Sequence, residues 1–116
     1  MRRKHPSSAF GQSTMYELLI TEIAEQDLDG IMEYIAVKLA NPPAAKTFLN
    51  NVEACYGSLR RTPRMFSECE DKYLKRKGYR KALINNYLLI FRIDGKARKV
   101  YVLRFFYAGQ DYVKQL

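Results

Sequence analysis

The sequence predicts an α+β fold: an N-terminal strand and an antiparallel helical hairpin packed on a small, mainly antiparallel β-sheet, in the order β-α-α-β-β-β. Two observations carry this. Apolar residues recur at helical spacing over two adjacent segments separated by Asn41-Pro42-Pro43. Further on, Lys77 to Tyr112 reads as three strands joined by two tight connections.

Each element follows from local chemistry. Residues 1–14, MRRKHPSSAFGQST, show no periodicity and carry Pro, Ser, Gly and Gln. They read as a disordered leader, an expression remnant or a misplaced start, which leaves Met15 as a candidate initiator and 15–116 as one domain. Tyr16 to Ile20 is a short strand. Thr21 is placed to cap a helix, with Glu22 and Glu25 in the first turn, where the helix dipole favours acids. Ala24, Leu28, Ile31, Ile35 and Leu39 form its apolar stripe. Asn41-Pro42-Pro43 breaks that helix and starts the next, with Asn41 as cap and Pro42 in the first position. Ala45, Phe48, Leu49, Val52, Cys55, Tyr56 and Leu59 make the second stripe. So short a break turns the two helices back on each other.

Pro63 ends the helical region, and Arg64 to Lys77 reads as a charged loop. The strands follow. Asn85-Asn86 separates the first two, and Asp94-Gly95 opens the second connection; both pairs tolerate the positive φ of narrow turns. Tyr87, Leu89, Phe91 and Ile93 alternate with Leu88 and Ile90. Tyr101, Leu103 and Phe105 alternate with Val100, Val102, Arg104 and Phe106. Apolar residues on both faces suit central strands with one face on the helices.

Composition and charge narrow the function. With 47% hydrophobic and 28% charged residues the chain is globular in character. No apolar run approaches the roughly 20 residues that span a bilayer, and no secretory signal is evident, so a cytoplasmic location is expected. Charge is unevenly spread. Residues 15–59 hold two Lys against seven acids, a net −5; residues 60–81 hold nine Lys/Arg against three acids, a net +6. Residues 82–116 hold six against two, a net +4, and residues 1–14 add +3, for +8 in all. A basic second half suits a polyanion or an acidic partner, or is simply a solvated surface. Cys55 and Cys69 form no disulfide framework, and one His gives no metal site of recognisable spacing.

Several segments resemble the RelE/ParE superfamily, toxins of type II toxin–antitoxin systems, and within it the ParE-like or plasmid-stabilisation branch. They are Thr21 to Ile35, Asn41 to Leu59, Gly78-Tyr79-Arg80, Asn86 to Asp94 and Val100 to Arg104. The resemblance covers about Met15 to Tyr112. It implies a RelE/ParE-like fold, a growth-inhibiting toxin and a cognate antitoxin protein as partner. The target it implies is either the ribosome with its mRNA, cleaved without metal or other cofactor, or DNA gyrase, inhibited without catalysis. A further reading is an antitoxin-binding module of little toxicity.

RNA cleavage of this kind needs a base for the 2′-hydroxyl, cations for the pentacoordinate phosphate and an acid for the leaving oxygen. The resemblance carries over Arg80 as the strand arginine at the scissile phosphate and Arg104 as a basic position on the last strand. Tyr107 or Tyr112 is the candidate acid or stacking group, with Tyr112 counted beside the two arginines as catalytic. Lys75, Lys77, Lys81, Tyr107 and Gln110 are candidate contacts to nucleic acid or target. Gln110 departs from the nuclease pattern, where arginine is commonest; an amide hydrogen-bonds a phosphate without neutralising it. Structural alternatives stay open: Arg80 pairing with Glu70, Asp71 or the antitoxin, and Arg104 pairing with Asp94 or Asp111.

Overall fold

The computed structural model describes residues 3–5 and 15–116. Five strands form one mixed sheet: β1 (Arg3–His5), β2 (Glu17–Ile20), β3 (Tyr79–Ile84), β4 (Tyr87–Asp94) and β5 (Lys99–Tyr107), in the order β1-β2-β5-β4-β3. β2 and β5 are parallel; every other pairing is antiparallel. Most of the 1–14 segment lies outside the described residues, but Arg3–His5 pairs along β2. No helix among the described residues is long and apolar enough to cross a membrane.

Helix α1 (Glu22–Glu33) begins as expected, because the Thr21 hydroxyl accepts the Ala24 N–H at 3.1 Å. The same hydroxyl donates to the Leu103 carbonyl at 2.9 Å, tying the helix start to β5. The first stripe is not one continuous α-helix. It passes into a π-helical turn, Tyr34–Lys38, and reverses at Ala40 with φ +49°. Helix α2 (Pro42–Arg61) is capped by the Asn41 side chain, which accepts the Ala44 N–H at 3.1 Å.

Both helices cover one sheet face. Ala24, Leu28, Phe48, Val52, Tyr56 and Leu59 pack on Leu18, Ile20, Ala82, Ile84, Leu89, Phe91, Val100 and Val102. The other face carries a smaller cluster of Cys69, Leu74, Leu88, Ile90 and Phe106, with Tyr112 and Val113 packed against it. Its cover differs from the expected charged loop. Asp71 caps a short helix, α3 (Lys72–Arg76), by accepting the Tyr73 and Leu74 N–H groups, and Leu74 is thereby buried.

Strict alternation fails on β5. Ile90 faces Arg104 and Phe91 faces Val102, so Leu103 is an inserted residue, a β-bulge. The bulge switches parity: Val100, Val102 and Phe105 enter the helix-side core, while Phe106 joins the opposite cluster. Turn chemistry differs in one place too. Asn85 takes φ +54° as expected, but in the β4–β5 connection the positive φ falls on Arg98, at +53°, and not on Gly95. There the Asp94 carboxylate stabilises the turn by accepting the Ala97 N–H at 3.1 Å.

Candidate functional site

The carboxyl end of β5 runs past the end of β2, so its edge is bare of strand partners beyond Val102. Helix α1 crosses this edge and supplies Asp27. Its carboxylate accepts Arg104 Nε at 2.8 Å, Arg104 Nη2 at 3.1 Å and the Phe105 backbone N–H at 3.0 Å. One side chain thus neutralises an arginine and satisfies a strand-edge donor. The bidentate geometry makes it a strong pair. The Arg104 guanidinium also lies 4.7 Å from the centre of the Phe106 ring.

Beside this pair opens a groove of about 440 Å³, lined among others by Gly30, Tyr34, Tyr87, Arg104, Tyr107 and Gln110. Its wall is aromatic. Tyr87 meets Phe48 edge-on at 5.2 Å and Tyr107 at 5.8 Å. Burial pushes the Tyr87 phenol above its ordinary pKa. Tyr34 and Tyr107 stand about half exposed. Gln110 folds back on its own turn: its side-chain oxygen accepts the Tyr107 N–H at 3.0 Å and closes the turn after β5.

The remaining candidates lie elsewhere. Arg80, on β3, donates to the Phe66 carbonyl at 2.7 Å and reaches the Arg64 carbonyl at 3.5 Å. Neither Glu70 nor Asp71 is its partner; it binds the chain that leaves α2. Lys81 pairs with Glu70 at 3.0 Å, and that hydrogen bond raises its pKa. Lys77 lies over the rings of Tyr73 and Tyr79, at 4.7 and 5.6 Å. Lys75 is exposed on α3. Tyr112 stacks on Phe106 at 5.7 Å, and burial raises its pKa.

The fold therefore brings Arg104, Tyr107 and Gln110 together and leaves Arg80, Lys81 and Tyr112 apart from them. Arg104 pairs with neither Asp94 nor Asp111, the two alternatives open from the sequence. The residue that sequence reasoning missed is Asp27. It stands three residues after Ala24 and four before Ile31, inside the apolar stripe, and an acid there signals a buried partner. Among the described residues, no group of three or more His, Cys, Asp or Glu could hold a metal ion.

The family model for the ParE toxin of the type II toxin–antitoxin system parDE matches residues 18–112. The chain belongs to the ParE toxin family. Solved structures share the ParE-like fold. A chain of the chromosomal ParDE toxin–antitoxin system from P. aeruginosa is 22% identical, with a TM-score of 0.65, covering 82% of this chain and 98% of that one. A chain of the toxin–antitoxin complex RelBE2 from Mycobacterium tuberculosis is 25% identical, with a TM-score of 0.58, covering 80% and 98%. No curated protein matches the sequence.

Proposed function

We propose that this chain is the toxin of a type II toxin–antitoxin pair, held inactive by a cognate antitoxin, and that it acts by binding DNA gyrase and not by cutting mRNA. The observation behind this reading is the fate of the cations. Metal-independent RNA cleavage needs positive charge free to meet the phosphate as charge develops. Here Arg104 is neutralised by Asp27, Arg80 is committed to backbone carbonyls, and Lys81 is paired with Glu70. These groups also occupy separate places. Inhibition by binding asks for no such constellation. The antitoxin follows from family membership, and both solved relatives come from toxin–antitoxin systems.

The test is direct. Expression of the chain alone should arrest growth, and co-expression of the adjacent small reading frame should restore it and yield a complex on co-purification. Purified chain should block supercoiling by gyrase and leave ribosome-bound mRNA intact. Prompt mRNA cleavage would instead support the ribosome-directed reading, with Arg104, Tyr107 and Gln110 as its site. Complex formation without growth arrest would leave only an antitoxin-binding module.

A further inference from the structure

A second basic surface lies at the opposite end of the strands from the aromatic groove, and no candidate site includes it. It is assembled from three stretches of sequence. Helix α2 ends in Arg60 and Arg61, and Arg64 follows in the short 3-10 turn Pro63–Met65. The β4–β5 turn brings Lys96 and Arg98, and β5 starts with Lys99. Contacts through Tyr16 hold them together. The Tyr16 N–H donates to the Arg60 carbonyl at 2.8 Å, and the Arg98 guanidinium sits 4.4 Å from the Tyr16 ring centre. Tyr16 also shares a shallow cavity of about 360 Å³ with Arg61 and Arg64. Arg64 reaches the β4–β5 turn, since a Cβ on Gly95 would come within 2.8 Å of its Nη2.

Six cations there face two acids. Asp94 is occupied by the turn it stabilises, and Glu17 lies opposite Lys99 in the β2–β5 register. Arg61, Arg64 and Lys96 are exposed and have no acidic partner among the described residues. Exposed like charges repel one another and add nothing to the fold. Three cations elsewhere are neutralised within the chain: Arg104 by Asp27, Lys81 by Glu70 and Lys114 by Asp111. Arginine predominates, and its planar fork suits phosphate oxygens.

We infer that this surface, centred on Arg61, Arg64 and Lys96, binds the phosphate backbone of duplex DNA without reading sequence. Duplex is favoured over single strand because single-strand sites add aromatic platforms for unstacked bases. The one aromatic ring of this cluster, Tyr16, is buried beneath Arg98. The choice of DNA rests on the gyrase reading, since gyrase holds a DNA duplex and a toxin bound there would meet its backbone.

The full chain is titrated into a labelled 20-base-pair DNA of arbitrary sequence at several salt concentrations and followed by fluorescence anisotropy. Affinity should fall as salt rises, with a logarithmic slope of about 0.9 per phosphate contact. The triple variant R61Q/R64Q/K96Q should bind at least tenfold more weakly and show a slope shallower by about 2 to 3. The control K38Q/K46Q/K114Q removes the same charge elsewhere and should bind within about twofold of the parent, since a net-charge field alone is unspecific in position. Equal losses in both triple variants, no binding at low salt, or tighter binding to single-stranded RNA would each overturn the inference. Gyrase inhibition without DNA binding overturns it alone. DNA binding without gyrase inhibition supports it and removes the gyrase reading.

Discussion

Asp27 and Arg104 form a bidentate pair that bridges α1 and β5, and the same carboxylate holds the Phe105 N–H. The pair is about four-fifths buried on both sides. Removing one member strands the other. Asp27→Ala should therefore lower stability by about 2 kcal/mol, measured as a shift in the urea midpoint. Arg104→Gln should cost somewhat less, because Asp27 keeps the Phe105 N–H. The double variant should be less destabilised than the two singles added together; strict additivity would show that the pair carries no coupling.

Arg80 is expected to be structural. Arg80→Ala leaves the Phe66 carbonyl without its 2.7 Å donor and should destabilise the fold by about 1–3 kcal/mol. Growth inhibition should then fall in proportion to soluble protein. An Arg80→Ala chain with unchanged melting temperature and abolished toxicity would assign the residue to the target instead.

At Gln110 the expectation set by the nuclease pattern changes. Arginine has no acceptor, so Gln110→Arg loses the hydrogen bond to the Tyr107 N–H. We expect a loss of about 1 kcal/mol and no gain in mRNA cleavage. Cleavage that rises with this variant would mean that the turn rearranges to present the new charge.

A chain starting at Met15 should still fold. Leu18 and Ile20 remain in the core through β2 and its parallel pairing with β5. What is lost is the pairing of Arg3–His5 with Leu18–Ile20. Hydrogen exchange should quicken at β2 while protection on β4 and β5 is retained; global loss of protection would make the first residues part of the fold.

Stability should fall in alkali. Burial pushes the Cys55 thiol from 9.0 up to about 11, and raises Tyr87 and Tyr112 as well. A raised acid binds its proton more tightly when folded, so its contribution is intact below pH 9 and is lost as pH rises from 9 through 11. For Cys55 the loss is about 2–3 kcal/mol at the upper end. Cys55→Ala should flatten the pH dependence of the melting temperature between pH 9 and 11. An identical profile would place the alkaline loss on the tyrosines.

Local chemistry made the helices legible. Thr21 and Asn41 cap as their side chains dictate, and the stripes around Leu28 and Val52 face the sheet. The β4 alternation was equally readable. What escaped the sequence were effects set by distant partners. Nothing local marks Leu103 as inserted, because the bulge is defined against Ile90 and Phe91 on another strand. Helix α3 was hidden by its charge, since Leu74 is its only buried residue. Three of the site candidates, Arg80, Lys81 and Arg104, were cations picked by position along strands, and their partners, the Phe66 carbonyl, Glu70 and Asp27, lie 11 or more residues away in sequence. Side-chain identity named the right groups but not what they are spent on.

The inserted Leu103 makes β5 a strand written in two phases. Upstream, even-numbered residues address the helices; downstream, odd-numbered ones do. Substitutions along the strand can be judged one at a time, but changes of length cannot. Deleting Leu103 would restore plain alternation, with Phe105 still facing the helices and Phe106 the opposite cluster, whereas adding one more residue there would act as a frameshift in space, turning Phe105 away from the core and Phe106 into it. Homologous chains that lack the inserted residue, aligned without a gap through this point, would be matched inside to outside from there to the carboxyl end.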